Sequence, residues 1–113
     1  MFGGYTLSLH RVHDSVRIRE GDDALTLAVD ADPMRMVAGL NQAQKTLQAI
    51  TSESTEEETR AAAAFFAGVI FGQAQAEQLM AFYHGDAACV INVCGKYFSE
   101  RLSKLIARAQ KRK

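Results

Sequence analysis

The stretch "VRIREGDDALTLAVDADP", Val16 to Pro33, decides the fold. Val16 and Ile18 alternate with Arg17 and Arg19, and Leu25, Leu27 and Val29 alternate with Thr26, Ala28 and Asp30. A period of two gives each run one apolar face, which is the mark of a half-buried strand. Between the runs, Glu20 to Asp23 ("EGDD") supplies the Gly and Asp that a tight hairpin turn needs. The period then changes at "DADP". Asp32 can cap a helix by accepting its free backbone N–H groups, and Pro33 suits the first helical position, where its missing N–H costs nothing. An antiparallel hairpin running into a helix is the opening of an α+β domain.

Upstream, Tyr5, Leu7 and Leu9 also alternate with Thr6, Ser8 and His10, and "RVHDS", Arg11 to Ser15, offers a weaker turn. The β region is therefore a hairpin or a three-stranded meander over about residues 5–30. Downstream, residues 33–111 read as about four helices. In the first, Met36, Val37, Leu40, Ala43, Leu47 and Ile50 recur at steps of three and four, forming one stripe. The second has two Ser/Thr-x-x-Glu capping boxes, Ser54 with Glu57 and Thr55 with Glu58, so the "EEE" run marks a helix start rather than a metal site. Beyond Arg60 it is apolar nearly all round, which predicts the central, most buried helix. Gly72 ends or kinks it.

A short third helix follows, with Leu79, Met80, Phe82 and Tyr83 inward, closed by Gly85 in the left-handed conformation. Asp86 caps a fourth helix from Ala87 to about Gln110. On an unbroken helical wheel Ala87, Val90, Ile91, Cys94, Phe98, Leu102, Leu105 and Ala109 share its core face. At 113 residues, 48% apolar and 23% charged, residues 1–113 are expected to form a single domain.

The formal net charge is zero but unevenly spread. From Lys96 onward seven Lys and Arg face Glu100 alone, so an acidic body carries a basic end. Arg101, Lys104, Arg108 and Lys111 step along one side of the last helix. Such a stripe could touch phosphate, which makes a nucleic-acid-binding accessory protein the alternative class, although no helix-turn-helix spacing accompanies it. The start of the chain lacks a signal-peptide pattern, and its longest apolar run, Ala61 to Phe71, is 11 residues, against the roughly 20 a membrane span needs. A cytoplasmic protein with free thiols is expected, with no membrane partner.

His84, Asp86, Cys89 and Cys94 crowd one stretch and raise the question of zinc or redox chemistry. Zinc takes convergent ligands, commonly as C-x2-4-C pairs or i, i+4 pairs on one helix face. Here the spacings are five residues, which turn a helix by about 140° between the two cysteines and part them. No Walker loop, dinucleotide fingerprint or nucleophile elbow is present. The expectation is a protein without catalytic residues, metal or cofactor.

Two segments, "AAAFFAGVIFGQAQAEQL" from Ala62 and "CVINVCGKYFSERLSKLIARAQKRK" from Cys89, resemble the C-terminal half of small prophage proteins from siphovirus-type tailed phages, similar to tail assembly chaperones. The layout fits as well: a hairpin from Val16 to Val29, a helix, and Phe71-Gly72 ahead of Glu77-Gln78-Leu79. The resemblance implies a non-enzymatic factor in the cytosol of a bacterial host. It would bind the phage tape measure protein during tail assembly, with the major tail protein as a further partner, and self-associate. A structural prophage protein without that role is the remaining alternative. On the residues alone, a client surface falls to Val90, Val93 and Tyr97, if uncovered, beside Arg101, Lys104 and Arg108.

Overall fold

The computed structural model describes residues 11–111; the expected strand Tyr5–Leu9 lies outside them. Strand β1 (Val12–Glu20) pairs antiparallel with β2 (Asp23–Ala31). Four helical rods follow: α1 (Pro33–Gln48), α2 (Glu56–Phe71), α3 (Gln73–Phe82), and a last one made of α4 (Ala87–Tyr97), a π turn (Phe98–Leu102) and α5 (Ser103–Lys111). The class is α+β, as the strand–turn–strand–cap reading requires.

Glu20 faces Asp23 across a two-residue turn, and Gly21 takes the positive φ of 62° there. Glycine at the first turn position matches the twist of the flanking strands at no steric cost. The weak turn expected at Arg11–Ser15 does not form. Instead, β1 begins at Val12, opposite Ala31, and Val12, Asp14, Val16 and Ile18 share the face that meets the helices. Asp14 interrupts the apolar alternation, which is why the strand looks shorter in sequence than it is. On β2, the outer edge is blocked at Ala28, where the Gln75 amide accepts from the backbone N–H at 2.8 Å and donates to the carbonyl at 2.7 Å. Among the described residues no further strand pairs with this edge, and a side-chain amide takes that place at Ala28.

Asp32 caps α1, accepting from the Arg35 N–H at 3.0 Å, and Pro33 follows at the first position. The helix stops at Gln48, just before Ile50. Of the two possible capping boxes only Thr55/Glu58 forms, with bonds of 3.0 and 2.8 Å; the Ser54 hydroxyl accepts from Thr51 N–H instead. Helix α2 packs against α1, α3, α4 and β2, so it is central as its composition predicts. Its burial is one-sided, however: Ala63, Phe66, Ala67, Ile70 and Phe71 are inside while Phe65 stays 41% exposed. Helices α1 and α2 cross closely at Gly39, where a Cβ would lie 2.8 Å from Val69 Cγ1.

The end of α3 departs from the expected cap. Gly85 N–H reaches back to the Met80 carbonyl at 2.8 Å and His84 N–H to Ala81 at 3.0 Å, the paired bonds of a Schellman turn. In that motif the left-handed residue is His84, with φ 55°, followed by Gly85 at φ 79°. Arg60 fastens the junction to α2 by donating to the Gly85 carbonyl at 3.1 Å. Asp86 then caps α4 through Cys89 N–H.

In the last rod the unbroken wheel fails for a physical reason. Val90, Cys94 and Tyr97 are buried in its first half. In a continuous α-helix the positions in line with them further on, at about 20° and 0° from Val90, would be Arg101 and Arg108. The π turn absorbs one extra residue and sets everything beyond it back by about 100°. Leu102, expected on the core face, is buried at 0% exposure, Ile106 joins the core line at 5%, and Arg108 is turned out of it. Ile91, Phe98, Leu105 and Ala109, expected on the core face, are its partly buried flank.

Candidate functional site

The side chains expected to form a client surface divide sharply. Val90 is wholly buried and Tyr97 is 9% exposed, its ring stacked on Phe71 with centroids 5.9 Å apart; Val93 is partly buried against the same core. The surface read from Val90, Val93 and Tyr97 is therefore not available. Helix α4 packs on α2 and α3 along this strip, which two rods suffice to cover. Lys104 and Arg108 are exposed and make no ion pair among the described residues.

Arg101 is engaged. Its Nε and Nη2 donate to the two oxygens of Asp14 at 2.6 and 2.9 Å, and Tyr97 Oη donates to Asp14 Oδ2 at 2.7 Å. Asp14, 8% exposed at its side chain, would be expensive on an apolar sheet face without these partners. The Arg101 hydrogen bonds, and then that from Tyr97, outweigh desolvation and hold the carboxyl below its usual range. Burial and the Asp14 bond raise the Tyr97 phenol correspondingly. The group is a neutralised, saturated clamp joining β1 to the π turn. With every oxygen of Asp14 occupied it holds no poised base.

The cysteines lie on different faces of α4, as their spacing requires. Cys94 is buried and its thiol is pushed up to about 12 by desolvation. Cys89 is half-buried, and the hydrogen-bonded carboxylate of Asp86 raises its thiol too. Neither is activated as a nucleophile, which needs the thiolate. Among the described residues no three His, Cys, Asp or Glu side chains come together to hold a metal ion, and no helix is long and apolar enough to cross a membrane.

Among the hollows that the described residues leave open, the most apolar in its lining side chains is a groove of about 420 Å³ between α1, α2 and the π turn. Leu40 and Leu47 of α1, Phe66 of α2 and Phe98 of the π turn form its floor and walls; Asn41, Gln44 and Gln48 rim it. Searches of protein-family models, curated proteins and solved structures found no match to this chain. In the sequence Leu40 and Leu47 read as ordinary core positions of α1. Nothing there reveals that the π turn leaves them half-covered, with Phe98 at the lip rather than in the core.

Proposed function

We propose that this protein is a non-enzymatic assembly factor that binds a helical partner in the groove between α1, α2 and the π turn. The observation that carries the reading is the groove itself: an apolar floor left open among the described residues, beside an Asp14 that is saturated by its partners and two cysteines, Cys89 and Cys94, that are unactivated. Apolar grooves between helices are suited to the apolar face of another helix. The resemblance to tail assembly chaperones supplies the client, the long and largely helical tape measure protein, bound in the cytosol of a bacterial host. Engagement of Arg101 by Asp14 takes one cation out of the basic stripe and weakens the nucleic-acid alternative.

The test is co-expression of the full chain with the tape measure protein of the same prophage. The client is expected to remain soluble and to co-purify, and Leu47→Glu is expected to abolish both. A client that precipitates regardless of the chain overturns the proposal.

A further inference from the structure

We draw no further inference here: the strongest candidate, the apolar groove between α1, α2 and the π turn lined by Leu40, Leu47, Phe66 and Phe98, belongs to the site already described, and nothing in the structure shows what covers it.

Discussion

Asp14 and Arg101, 87 positions apart in sequence, meet through a Nε–Oδ2 hydrogen bond of 2.6 Å and tie the hairpin to the last helical rod. The bond spans almost the whole described chain. Its partners are unequal: the carboxylate is nearly buried and the guanidinium is 60% exposed at its side chain. Loss of the carboxylate therefore matters more, because it strands the buried Tyr97 hydroxyl. Asp14→Ala is expected to cost about 1–3 kcal/mol, measured by urea unfolding, and Arg101→Ala less, since a surface-facing cation is screened by water.

The same carboxyl gives a pH dependence whose sign is fixed. Its pKa is lowered in the folded state from a reference of 3.8, so its contribution is complete above that value and disappears as pH falls through the lower folded-state value. Unfolding free energy of the native chain is expected to drop more steeply below about pH 4 than that of Asp14→Asn. Parallel acid limbs in urea melts of the two chains contradict this.

His84 holds a left-handed backbone that glycine adopts freely. The Cβ penalty there is about 1–2 kcal/mol, partly offset by the greater freedom of an unfolded glycine. His84→Gly is expected to raise stability by roughly 0.5–1 kcal/mol, and His84→Val, β-branched, to lower it. A thermal melt of each variant checks the order.

The crossing of α1 and α2 should show coupling. Gly39→Ala gains helix propensity of about 1 kcal/mol but drives a methyl against Val69, 2.8 Å from the new Cβ. Alone, the substitution is expected to be neutral or destabilising. Introduced into Val69→Ala, it is expected to stabilise by about 1 kcal/mol. A double-mutant cycle that is strictly additive removes the close crossing as the reason for glycine.

Gln75 is expected to protect a single backbone amide. Because it occupies both polar groups of Ala28, Gln75→Leu should speed hydrogen exchange at Ala28 and leave exchange across the β1–β2 ladder nearly unchanged. Loss of protection throughout the hairpin would show that the contact holds the whole sheet in place rather than blocking its edge.

Local rules in the sequence determined most of the secondary structure. Alternation and Gly21 set the hairpin, Asp32 with Pro33 and Thr55 with Glu58 set two helix starts, and Asp86 set a third. Each of these devices acts within four residues, so its chemistry is complete in a short window. Spacing alone likewise separated Cys89 from Cys94. The phase of the last rod is not fixed by any such local device. Its two halves carry apolar stripes about 100° out of step, and only packing against α2, α1 and the sheet forces the π turn that reconciles them. Asp14 was hidden for the same reason: its partners are more than 80 residues away, and without them an inward carboxylate looks like the end of a strand. The groove depends on both, since the π turn brings Phe98 to its lip and the clamp joins that turn to β1. Tertiary structure thus covered Val90 and Tyr97 and left Leu40 and Leu47 half-covered at the groove.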